Sequence, residues 1–177
     1  MKDELYPSRI ELNKSSYEKN FSFLQDYVGR DVVFSSVIKG NAYGHGIRDF
    51  VPMAEECGVR HFSVFSSDEA RQACRARTQD SHVMIMGMIS NEALGWAIES
   101  DVSFFVFEMD RLKVAAQEAK RLGKPARIHL HLETGMNRLG LDPQKFDEAV
   151  QVIKENNDHL QVDGICTHYA GAESVGN

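Results

Sequence analysis

Strand-like and helix-like segments alternate along this chain about six times, joined by short connections. A tight hairpin cannot join parallel strands, so each parallel pair needs a crossover, and a helix is the usual one. The pattern therefore predicts an α/β fold with a parallel sheet and helices outside it. A short strand over 9–13 and a helix over 15–27, stopped by Gly29, come first. Strands follow at 31–39, 61–65, 83–86, 102–107, 126–133 and 160–169. The helices between them cover 49–57, a stretch opened by Ser67 as N-cap, 91–99, 109–122 and 142–155. The 109–122 helix carries Leu112, Ala115, Ala116, Ala119 and Leu122 on one stripe, and Gly123 closes it.

A doubly wound open sheet and an eight-fold barrel both fit this alternation. A complete barrel needs about 250 residues and eight units. The 177 residues supply roughly six, so the expectation is the first part of a longer protein. Formal net charge of −6 argues against nucleic acid as a partner, which calls for a basic face. No apolar run approaches the ~20 residues of a membrane span. Met1-Lys2-Asp3-Glu4-Leu5 has no apolar signal core, so a cytoplasmic location is expected. Cys57, Cys74 and Cys166 are too far apart for zinc or redox spacing, and read as reduced thiols.

The chemically capable residues fall just after strand ends. The apolar run from Val32 to Ile38 stops at Lys39, followed by Gly40-Asn41-Ala42-Tyr43-Gly44-His45-Gly46. An ammonium at the end of a buried strand loses hydration. Pairing with a carboxylate or snorkelling to water would offset that, and so would keeping the amine neutral or tying it up covalently. Tyr43, in the turn, could offer its hydroxyl to an anion. His129, His131 and Glu133 share one face of their strand, which points to a barrel interior or a pocket. Arg138 could hold an oxyanion with its planar fork, or pair with Glu133. His168, after the last strand, could stack on a flat heterocycle or be a satisfied polar residue. The histidines form no metal-ligand spacing. Dinucleotide and Walker motifs are absent.

Three stretches, in order, resemble the N-terminal domain of the alanine racemases: Val37-Ile38-Lys39-Gly40-Asn41-Ala42-Tyr43-Gly44-His45-Gly46, Glu133-Thr134-Gly135-Met136-Asn137-Arg138-Leu139-Gly140 and Thr167-His168-Tyr169-Ala170. The resemblance covers nearly the whole chain. It implies a (β/α)8 TIM barrel, here with about six units, whose cofactor is pyridoxal 5′-phosphate. Residues 1–13 would hold a strand belonging with a separate C-terminal β-domain, and 14–177 the partial barrel. Lys39 would form the Schiff base and act as one of two bases. Tyr43 would hydrogen-bond the cofactor phosphate, Arg138 its phenolic oxygen, and His168 would lie against its ring. The reaction implied is interconversion of L- and D-alanine by a homodimer in the cytoplasm, feeding peptidoglycan. The second base, a tyrosine of the partner's β-domain, lies outside these residues, so the 177 residues alone are expected to be inactive.

Two positions depart from the family pattern. Many members carry a carbamate-modified lysine where this chain has His131, and glycine is common where it has Asn137. A left-handed backbone would accommodate Asn137. The rival readings are a single-domain pyridoxal-phosphate carrier and a racemase of broader amino-acid scope. Other enzymes on this fold, D-serine dehydratase and D-threonine aldolase, need a metal site that the sequence does not offer.

Overall fold

The computed structural model describes residues 8–171 and 174. Six parallel strands form one sheet in the order β1-β2-β3-β4-β5-β6. They are β1 (Ser36–Val37), β2 (His61–Val64), β3 (His82–Ile85), β4 (Ser103–Val106), β5 (Ala126–His131) and β6 (Leu160–Cys166). The order never reverses. A doubly wound sheet reverses once, at its switch point, so this is the singly wound path of a barrel. The fold is α/β, six-stranded and a partial barrel.

The helices are α1 (Lys14–Val28), α2 (Lys39–Tyr43), α3 (Ile47–Glu56), α4 (Ser67–Ala76), α5 (Asn91–Glu99), α6 (Met109–Leu122) and α7 (Phe146–Glu155). A 3-10 turn, Pro143–Lys145, precedes α7. The stripe on α6 is buried through Leu112, Ala115, Ala116 and Ala119, and Gly123 ends the helix in the left-handed region. Two helices start one residue away from the expected cap. Ser66, not Ser67, caps α4 by accepting from the Glu69 amide, and Ser90 precedes α5.

Strand lengths differ more. β1 pairs at only two positions, Ser36 with Phe62 and Val37 with Ser63. The expected strand over 31–39 is shorter because it has a ladder on one side only, and Val32 and Val33 stay exposed. β5 and β6 also stop before the expected 133 and 169. Residues 8–13 are irregular, with Asn13 capping α1 instead of ending a strand. A strand needs a ladder partner, and none lies against this stretch among the described residues. The rest of the expected 1–13 strand, residues 1–7, lies outside the described residues.

Each strand divides its side chains between two environments. Phe62, Val64, Val83, Ile85, Phe104, Val106, Ile128 and Leu130 join the buried core with the helices. The opposite face is polar. His61 and His82 pack ring to ring at 5.0 Å, and His82 Nε2 meets the Ser103 hydroxyl at 2.7 Å. Arg127 donates to Asp163 at 2.7 Å, to Asp101 at 3.0 Å and to His82 Nδ1 at 3.2 Å.

Burial first, and then the positive field of His129 and Arg127, lowers His61 from its usual 6.5 to about 4. Burial, Arg127 and His61 lower His82 to about 4. Between these values the unfolded chain binds protons that the folded chain does not, so acid favours unfolding. The contribution is complete above pH 6.5 and is lost as pH falls toward 4. Thermal midpoints are therefore expected to drop through that window, with a shallower slope in a His61→Asn/His82→Gln double variant. Equal slopes for the two proteins would contradict the assignment.

No described helix is long and apolar enough to cross a membrane. No described group of three or more His, Cys, Asp or Glu could hold a metal ion. The three cysteines are free.

Candidate active site

A cavity of about 420 Å³ opens at the carboxyl ends of the strands. Every strand contributes at or just beyond its end: Lys39 after β1, Phe65 after β2, Met86 after β3, Phe107 after β4, His131 closing β5 and His168 after β6. Phe105, Arg138 and Leu139 complete the lining. Parallel-sheet proteins place their ligands at this end.

The chain bends sharply where it delivers Lys39. Gly40, Asn41, Ala42 and Tyr43 all have positive φ, between 53° and 61°. α2 is thus one turn of left-handed helix. Each non-glycine residue in that conformation costs roughly 1–2 kcal/mol. Several bonds hold the turn. Glu69 on α4 accepts the Gly40 amide at 2.7 Å through one oxygen and the Phe65 amide at 2.9 Å through the other. The Asn41 side chain accepts the first amide of α3, from Ile47, at 2.9 Å, and the His45 ring bonds the Ala42 carbonyl at 2.8 Å.

Lys39 is exposed at the cavity rim, not buried in a strand, because β1 ends two residues earlier. No carboxylate pairs with it among the described residues, and its side chain is exposed to water. Tyr43 stands on the same turn but outside the lining, with 64% of its surface exposed.

Arg138 sits on a loop pinned back onto β5. The Leu141 amide donates to the His131 carbonyl at 2.7 Å, and the Glu133 amide donates to the Leu141 carbonyl at 3.1 Å. Asn137 has φ 53°, the left-handed backbone expected of an asparagine there. Glu133 does not pair with Arg138. Its carboxylate accepts backbone amides of Asn137 and Gly135, which hold it below the usual carboxylate range.

The walls are Phe65, Met86, Phe105, Phe107 and Leu139. Against them stand an amine, a guanidinium and two imidazoles, with no carboxylate in the lining. In a chain of net charge −6 this is a local excess of donors, suited to a flat, anionic guest.

Three of the four sequence-predicted site residues, Lys39, Arg138 and His168, therefore meet at one cavity. Glu69, Phe65 and Phe107 are not among the sequence-predicted site residues. Ser66-x-x-Glu69 has the spacing of a capping box. The walls Phe65 and Phe107 carry the same signal as Lys39, a position just past a strand.

The model of the alanine racemase N-terminal domain family matches residues 12–176. Alanine racemase 2 of Caldanaerobacter subterraneus subsp. tengcongensis is 34% identical over 175 residues, 98% of this chain and 44% of that protein. The alanine racemase of Listeria monocytogenes serotype 4a is 32% identical over 169 residues, 96% of this chain and 45% of that one. Among solved structures, alanine racemase from D-cycloserine-producing Streptomyces lavendulae aligns with TM-score 0.85 at 28% identity, covering 98% of this chain and 46% of its own. The chain spans less than half the length of the curated relatives it matches.

Proposed function

This chain belongs to the alanine racemase family, through its N-terminal domain, and from that premise we propose that the protein interconverts L- and D-alanine using pyridoxal 5′-phosphate. The observation that carries the reading is the cavity of Lys39, Arg138, His131 and His168, cationic or donor groups set against aromatic and thioether walls with no acid among them. Such a lining fits a flat heterocycle bearing a phosphate and a phenolate. The volume suits a small cofactor with an amino acid attached.

The cofactor, when bound, supplies an electron sink that acidifies the α-hydrogen of an attached amino acid. Lys39 would hold the cofactor through its amine, and its Nζ would hold or move a proton on one face of the substrate. Arg138 would donate to the phenolic oxygen and keep further donors for the substrate carboxylate. His168 would lie against the ring, and Tyr43 would offer its hydroxyl to the phosphate at the rim. Phe65, Phe105 and Phe107 keep water from the reacting carbon.

Inversion needs proton-carrying groups on both faces, because one base returns a proton to the side it left. The second is a tyrosine from a β-domain of a partner subunit, outside these 177 residues. That arrangement makes the working protein a homodimer, with residues 1–13 belonging to the β-domain. It acts in the cytoplasm and supplies D-alanine for peptidoglycan.

Borohydride reduction followed by peptide mapping tests the reading. A pyridoxyl group on Lys39, with D-alanine formed from L-alanine, is expected. An adduct without turnover on any amino acid would instead indicate a carrier, and turnover spread over many amino acids a broader racemase. Absence of an adduct would remove the proposal.

A further inference from the structure

Glu69 stands outside the cavity lining, in the first turn of α4. Its amide donates to the Ser66 hydroxyl at 3.3 Å, which is half of a capping box. The carboxylate reaches further. One oxygen accepts the Gly40 amide at 2.7 Å and the Asn41 amide at 3.4 Å, and the other accepts the Phe65 amide at 2.9 Å. These bonds lie where the ladder between β1 and β2 runs out. Just beyond β1 the Ile38 amide still meets the Ser63 carbonyl at 2.8 Å. Two residues further along each chain, Gly40 and Phe65 turn their amides to Glu69 in place of a strand. The two stretches differ in what else holds them. The Phe65 carbonyl also accepts the Gly87 amide at 3.0 Å, and an added Cβ on Gly87 would collide with that oxygen. The stretch after Lys39 is the strained one, with Asn41, Ala42 and Tyr43 all left-handed. Strained backbone persists only while its surroundings over-determine it.

We propose that Glu69 is the positioning residue of the Lys39 amine. By tying the Gly40 amide to the Phe65 wall, it returns Nζ to one place at the cavity rim each time the amine is freed. Capping of α4 alone would engage amides at that helix's own N-terminus, not one 29 residues back. Both carboxylate oxygens act as acceptors. A carboxamide of the same size offers one acceptor and so serves only one of the two stretches. Glu69 does not line the cavity, so its effect on the reaction passes through the placement of Lys39. This role rests on the reading of Lys39 as the reactive amine.

The test uses Glu69→Ala and Glu69→Gln in the protein as its gene encodes it, saturated with pyridoxal phosphate. The alanine variant is expected to lower kcat about 10²-fold, the loss that a displacement of ~1 Å brings. The glutamine variant, keeping one bond, should lose about tenfold, with KM for alanine within about threefold of the parent in both. Alanine deuterated at its α-carbon separates placement from folding. The isotope effect on kcat/KM should rise for the enantiomer whose α-hydrogen Lys39 takes, because that transfer has become slower. It should not rise for the other enantiomer, whose hydrogen leaves from the opposite face. A merely structural role would lower the thermal midpoint and leave both isotope effects at their parental values. Parental kcat in the alanine variant, or isotope effects that stay parental or shift alike for both enantiomers, would overturn the role.

Should the variants not fold, amide hydrogen exchange of the parent decides. Exchange at both Gly40 and Phe65 slowed about tenfold or more against a free amide supports the role. Exchange at Gly40 nearer the free rate overturns it. A parent in which borohydride leaves no adduct on Lys39 overturns the reading of that amine, and this role with it. An adduct in the parent beside an alanine variant of parental kcat overturns this role alone.

Discussion

Lys39→Arg is expected to lower the rate of alanine racemisation on the order of 10⁴-fold while leaving the fold in place. Arginine keeps the charge and the length. It does not lose a proton at working pH, so it can neither condense with an aldehyde nor act as a base. The substitution removes no folding contact, because Lys39 is exposed at the rim and has no hydrogen bond or ion pair among the described residues. The loss should therefore fall on kcat and on the trapped adduct, not on the thermal midpoint. Chiral chromatography of alanine after incubation with either enantiomer reads the rate. A variant within tenfold of the parent would mean that another group does this work.

Gly140→Ala is expected to be the most damaging single methyl group near the cavity. Gly140 has φ +148°, a backbone conformation that side chains rarely adopt. A Cβ there would stand 2.3 Å from the Glu133 nitrogen and 2.6 Å from its Cα. Both obstacles are backbone at the exit of β5, so no rotamer change relieves them. The loop must leave the strand and give up the Leu141 bond to the His131 carbonyl. We expect a loss of about 3 kcal/mol in chemical denaturation. Arg138 and Leu139 travel with that loop, so affinity for pyridoxal phosphate should fall with stability. Parental stability and affinity in this variant would show that the loop seats itself without its glycine.

The alternation of elements was legible because each helix carries its own stop and its own stripe. The span of α6 emerged at both ends, from an alanine-rich face and Gly123. The strands were overread, because β-branched and apolar residues continue past the point where a ladder partner exists. β1 shows this best: a run over 31–39 pairs at two positions. The barrel path was not decidable from alternation, which is common to wound sheets of both kinds. The strand order and the family decide it.

The shared position of Lys39, Arg138 and His168 followed from their places after strand ends. The left-handed sense of the turn did not, since Ala42 and Tyr43 in it are residues that seldom take that backbone. Glu69's grip on that turn links residues 29 apart, and no local pattern encodes such a bond.

One carboxylate at the start of α4 secures two separate stretches of chain, each through a different oxygen. Letting go of that carboxylate would free both stretches together, leaving the mirror-image turn to its Asn41 and His45 bonds. Lys39 thereby inherits the rigidity of a helix to which it does not belong.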